Sequence, residues 1–117
     1  MMVYGIANCD SVKKARAWLQ AEGRVFAFHD FKRDGLGQAL LDRWIAAVGW
    51  ELLLNRRGTT WRGLSDAARA TADSASGAST LMLEQPSLVK RPVIEWPDGT
   101  VSVGFDPAHF AELNRRG

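Results

Sequence analysis

The chain has 117 residues, 46% of them hydrophobic and 24% charged. Those values suit one globular domain over residues 1–117 and exclude wholesale disorder. The net charge of +2 is too small an excess to argue for a nucleic-acid partner, and no apolar run approaches the ~20 residues of a membrane span. Residues 1–6 show neither a basic lead nor a signal-peptide core, so a cytoplasmic protein is the expectation; a monomer is also expected.

Val3, Tyr4, Gly5 and Ile6 form a short apolar run and predict a strand. A turn follows at 7–10, then a helix over 11–22, with Val12, Ala15, Trp18 and Leu19 on one face. Asp10 is the expected N-cap and Gly23 the terminator. Residues 25–29 predict a second strand, parallel to the first with a right-handed crossover. The stretch 34–37 reads as a loop. Residues 38–48 predict an amphipathic helix facing inward through Leu40, Leu41, Trp44, Ile45 and Val48.

Residues 50–54 predict a helical turn, and 55–62 a polar, basic segment. A helix opens at 65–69. The Ala- and Ser-rich stretch 70–79 is read as helices packed closely through small side chains, continuing through Leu81, Met82 and Leu83. Residues 93–96 and 101–105 predict two strands joined by the tight turn 97–100, hence an antiparallel hairpin. Asp106 then caps a final helix with Pro107 at its first position and Phe110 and Leu113 buried. Residues 115–117 are expected to fray. The order β-α-β, helical block, β-β-α fits one four-stranded mixed sheet of the thioredoxin-like kind, with 38–83 as a helical insertion.

The chain contains one cysteine, Cys9. No internal disulfide can form, and His29 and His109 lie too far apart in sequence to suggest a metal site; no metal is expected. A lone cysteine can be a small buried hydrophobe. Its place at a strand-to-helix turn favours a reactive thiol, because the unpaired N–H groups and dipole of a helix start stabilise the thiolate. Lys13, one turn on, adds positive charge, and Asp10 opposes it. Asn8 and Ser11 can donate hydrogen bonds nearby.

Cations for an anionic substrate are at hand. Arg56, Arg57 and Arg62 share one short segment, and Arg91 precedes Pro92, a candidate cis peptide. Thr59, Thr60 and Trp61 either line a pocket or pack the loop. His29 is read as structural, since a helix-start thiolate needs no separate base. Trp18 and Trp44 belong to apolar helix faces; Trp50, Trp61 and Trp96 stay open.

Residues 4–15 (YGIANCDSVKKA), 53–62 (LLNRRGTTWR) and 86–92 (PSLVKRP) together resemble the arsenate reductase (ArsC)/Spx family, most closely its YffB-like branch. The resemblance covers nearly the whole chain, in order. It implies a thioredoxin-like fold, Cys9 as catalytic nucleophile, and Arg91 beside a cis-type Pro92 holding substrate next to the thiolate. It implies Arg57 as the central-loop arginine, with Asn55 and Arg56 as the other residues that could align there. Asn8, Asp10, Ser11, Lys13, Thr60 and Pro92 are the expected substrate-binding set.

Two departures bear on function. Arsenate reductases of the family carry a further arginine after the last strand, where this chain reads Val103-Gly104-Phe105-Asp106-Pro107. The Spx branch has a Cys-x-x-Cys switch, and here Val12 stands at the second position. The favoured expectation is a glutathione-dependent thiol reductase with no bound cofactor. Glutathione would be its co-substrate, and glutaredoxin or an oxidised thiol a partner. The alternatives are a glutathione- and glutaredoxin-coupled arsenate reductase, a non-catalytic Spx-like protein-binding regulator, and a chain whose Cys9 is inert.

Overall fold

A computed structural model describes residues 1–116. The chain divides into two compact units. The first is Met1–Gly35 with the chain from Arg91 onward, and the second is Leu36–Lys90. No helix among the described residues is long and apolar enough to cross a membrane.

The first unit is built on a four-stranded mixed sheet of order β2-β1-β3-β4. Strand β1 (Met2–Gly5) lies at its centre beside β2 (Ala27–Asp30), β3 (Val93–Glu95) and, beyond that, β4 (Val101–Val103). β1 and β2 run parallel with Tyr4 opposite His29. β3 is antiparallel to β1, with Val93 opposite Tyr4, and β4 is antiparallel to β3. The expected β-α-β and β-β-α halves therefore share one sheet.

Helix α1 (Asp10–Ala21) buries Val12, Ala15 and Leu19, spaced to fall on one stripe. Gly23 stops it with φ 71. The last helix, α8 (Pro107–Arg116), is capped by the Asp106 carboxylate, which accepts from the N–H of Ala108 at 3.1 Å and of His109 at 3.4 Å. It stays helical through Arg116, where the sequence predicts fraying; residue 117 lies outside the described residues. α1 and α8 pack on one face of the sheet, around Val3, Ala15, Leu19, Ile94, Trp96, Phe110 and Leu113. Phe110 is the hub, edge-to-face with Trp18, Trp96 and Phe105 at centroid distances of 5.6, 5.3 and 5.2 Å. Trp96 is thus a core residue, and its indole N–H finds the buried Ser102 hydroxyl at 2.8 Å.

Several boundaries differ from the expected ones. β2 begins at Ala27 because its N–H is the first to reach β1's lead-in, donating to the Met1 carbonyl at 3.1 Å. Val25 falls outside the ladder and is 91% exposed. β4 ends at Val103 because Gly104, at φ 86, turns the chain. A short helix α2 (Phe31–Asp34) follows β2 directly, where no helix is expected. The Asp30 carboxylate caps it by accepting from the Lys32 N–H at 2.9 Å, and Phe31 is buried.

The second unit is helical: α3 (Gln38–Val48), α4 (Trp50–Leu53), α5 (Thr59–Arg62), α6 (Asp66–Ala70), α7 (Ala75–Glu84) and a 3₁₀ turn at Pro86–Leu88. α5 lies inside the segment read as polar loop. Leu41, Trp44, Leu53, Leu54, Leu81, Met82, Leu88 and Val89 are its large buried residues. The helical, small-residue reading of 70–79 holds in part: residues 71–74 are a turn between α6 and α7, because the Ser74 cap starts a new helix there. Ala72, Ala78 and Ser79 are buried, and a Cβ on Gly77 would collide with the Thr71 carbonyl. Ser65 and Ser74 cap α6 and α7. Leu54 and Val89 form an isolated antiparallel bridge, extended by hydrogen bonds of 2.7 Å from Asn55 N–H to Leu88 and from Lys90 N–H to Leu53.

Candidate active site

Cys9 is itself the N-cap of α1, one residue upstream of the expected Asp10. Its backbone is extended, at φ −136 and ψ 125, and its carbonyl accepts the first helical bond from Lys13 at 2.9 Å. Asp10 is already the first helical residue. The sulfur therefore stands over a first turn whose N–H groups lack intrahelical acceptors. The thiol closes no capping hydrogen bond of ordinary geometry, and it is partly open to solvent.

The electrostatics of that position are a balance. Partial burial by itself pushes the thiol up. The N–H of Val12, the hydrogen bond and positive charge of Arg91, and the N–H of Ser11 outweigh burial, and the thiol lies below its ordinary value. From the sequence, Val12 reads only as a core position. Its role becomes visible once Cys9 is the cap, because Val12 is then the third helical residue, whose N–H a cap side chain normally meets.

Arg91 is half-buried and joined to Pro92 by a cis peptide. Pro92 is buried, and its carbonyl accepts from the Gly104 N–H at 2.8 Å. β3 starts one residue later, against the central strand. Thus the guanidinium is mounted on the sheet and the sulfur on α1. At the rim, the Lys13 ammonium donates to the Asn8 side-chain oxygen at 3.5 Å, both exposed. Asn8, Cys9, Asp10, Ser11, Lys13, Arg91 and Pro92 all belong to the first unit.

Arg57 and Thr60 belong to the second unit. Thr60 sits half-buried in α5. The segment before α5 is tied down by its own side chains. The Asn55 Oδ1 accepts from the Arg57 N–H at 3.1 Å, and the Arg57 carbonyl accepts from Arg62 Nη1 at 2.9 Å. Arg69 in turn donates to the Arg62 carbonyl at 3.3 Å. Arg56 lies near the Trp50 and Trp61 rings, at 5.8 and 5.6 Å, and donates to the Ala72 carbonyl at 3.3 Å. Trp50 and Trp61 are thereby accounted for as partners of Arg56. The Arg57 side chain is exposed and makes no hydrogen bond or ion pair with the described residues.

His29 is engaged elsewhere. Its Nε2 meets the Gly35 carbonyl at 2.7 Å, so that nitrogen carries the proton, and its ring packs near Tyr4 and Phe31 at 5.1 and 6.1 Å.

A cysteine capping the helix after a central strand, and an arginine before a cis-proline that leads into the neighbouring strand, are the features set beside known proteins. The model of the ArsC family matches residues 4–113. The chain belongs to the ArsC family. An uncharacterized protein of Haemophilus influenzae is 40% identical over 108 residues, spanning 92% of this chain and 93% of its own length. Among solved structures, the YffB (PA3664) protein is 45% identical, with a TM-score of 0.88 and 96% of each chain covered. An arsenate reductase (ArsC) related protein from Brucella melitensis is 51% identical, with a TM-score of 0.75, covering 95% of this chain and 91% of its own. The sheet described above is the thioredoxin-like fold of the ArsC family, and its architecture is that of arsenate-reductase-like thiol oxidoreductases.

Proposed function

We propose that the chain is a single-cysteine thiol reductase that uses glutathione as co-substrate. The observation that carries this reading is the meeting of Cys9, at the N-cap of α1, with the Arg91 guanidinium. The thiolate is the nucleophile, and this thiol is both lowered and partly accessible.

The reaction runs by exchange. The Cys9 thiolate attacks the glutathione sulfur of a mixed disulfide RS–SG; the old S–S bond breaks, a Cys9–SG bond forms, and RS⁻ leaves to take a proton from water. The chain has one cysteine, so an external thiol must resolve the adduct. A glutathione thiolate attacks the bound glutathione sulfur, oxidised glutathione forms, and the Cys9 thiolate returns. The net change is RS–SG plus GSH giving RSH plus GSSG.

Glutathione carries two carboxylates, and Lys13, beside Cys9 on the first turn of α1, offers a cation of the sign to hold one. Asn8, Asp10, Ser11 and Pro92, all in the first unit, complete the proposed substrate contacts. Glutaredoxin, or another protein with an oxidised thiol, is the partner this chemistry suits, in the cytoplasm and with the chain as a monomer.

The test is mass spectrometry after exposure of the folded chain to oxidised glutathione. One glutathione should add at Cys9 and none to Cys9→Ser. A folded chain that reacts more slowly than its unfolded form would sink the proposal.

A further inference from the structure

Gly5 ends β1 opposite Asp30, on the sheet face that Val3 turns to the core. A Cβ placed on it would stand 2.6 Å from Val12 Cγ2, far inside van der Waals contact. Gly5 is not among the glycines with positive φ, so backbone freedom is not what requires glycine here. Neighbouring space is.

A side chain at this position would leave little room to adjust. β1 is paired on both edges, to β2 and β3. Val12 is fully buried, and a β-branched side chain in a helix has one strongly preferred rotamer. The part able to move is the first turn of α1, with Cys9 on it. Arg91 would stay behind, because it leads into β3, which is held against β1. The spacing of β1 and α1 at Gly5 therefore also sets the spacing of sulfur and guanidinium.

We infer that Gly5 is a positioning residue for the nucleophile: its missing side chain lets α1 settle close enough to the sheet for Cys9 to meet Arg91. This builds on the reading of Cys9 as the reacting group. Its readout is thiol ionisation, so it can stand or fall apart from the glutathione chemistry.

The experiment is the pH dependence of Cys9 alkylation by iodoacetamide, with folding checked by circular dichroism. In Gly5→Ala the midpoint should rise by about 0.5 or more, roughly threefold less thiolate at a fixed pH below it. Adding Val12→Ala removes the obstructing methyl and should return the midpoint to that of the wild type. In an Arg91→Ala background, Gly5→Ala should produce no further rise, because the group whose distance matters is gone. An unchanged midpoint in folded Gly5→Ala overturns the inference. So does an equal rise with and without Arg91. If Gly5→Ala alone fails to fold, the Gly5→Ala/Val12→Ala chain decides: a wild-type midpoint supports the inference and a raised one overturns it.

Discussion

The charge and hydrogen bonding of the Arg91 guanidinium help to hold the Cys9 thiol below its ordinary value, although 82 positions separate the two in sequence. One rides on the lead-in to β3 and the other on the cap of α1. Arg91→Ala should therefore raise the midpoint of Cys9 alkylation and reduce the rate at neutral pH by about threefold to tenfold, allowing for solvent screening at a partly exposed site. Arg91→Lys should restore part of the charge effect but not the fork geometry. Alkylation rates across pH 5–10 check this, and an unmoved midpoint in Arg91→Ala would count against the pairing.

The same balance couples folding to pH. The thiol is lower in the folded chain than its ordinary value of 9.0. Its contribution to stability is thus fully present above about 9, the unfolded value, and is lost as pH falls through the folded value. Cys9→Ser has no such dependence. The stability of wild type relative to Cys9→Ser should increase as pH rises from below the folded value toward 9, measured by urea unfolding at a series of pH values. A flat or falling difference would contradict it.

Arg56 and Arg57 are adjacent and should behave oppositely. Arg56→Ala removes the cation from the Trp50 and Trp61 rings and the bond to the Ala72 carbonyl, and should cost on the order of 1 kcal/mol. Arg57→Ala removes a side chain with no bond to the described residues, and should change stability by less than about 0.5 kcal/mol. Denaturant melts of the two variants separate them.

Gly77→Ala should be strongly destabilising, by about 1–3 kcal/mol or more. The added Cβ would fall on the Thr71 backbone carbonyl, which cannot swing aside like a side-chain tip. Replacing the exposed Ser76, the neighbouring residue, by Ala should be far milder. Thermal unfolding of the two variants compares them directly.

Arsenate should be a poor substrate. The segment after β4, tied to Pro92 by the Gly104 N–H, carries Phe105 and Asp106 where the resemblance places an arginine in arsenate reductases. Phe105 packs against Phe110 in the core. Arsenate-dependent oxidation of NADPH, coupled through glutathione and glutathione reductase, should be weak or absent.

Much of this protein could be read along the chain. The helix over Gln38–Val48, the turn with Gly99 at φ 90 and the Asp106 cap all follow from local signals: apolar spacing, a glycine where φ must be positive, a carboxylate before a free N–H. The cysteine after the first strand was visible for the same reason. Boundaries were less so. β2 starts where the Met1 carbonyl allows it, and β-branched Val25 belongs to the right residue class for a strand but lies beyond its partner's reach. The α1 cap shifted to Cys9 because the Cys9 carbonyl accepts the first helical bond, whichever neighbour has the better capping side chain.

The β-α-β and β-β-α order of the sheet halves and the presence of one thiol at a helix start were set by the sequence alone, because helix periodicity, caps and turns depend on near neighbours. Tertiary structure alone decided which tryptophans take Arg56, and why Gly5 and Gly77 have no room for a methyl. Those outcomes depend on distances between segments remote in sequence or folded back on one another, and such distances are fixed only when the sheet pairs and the helices pack.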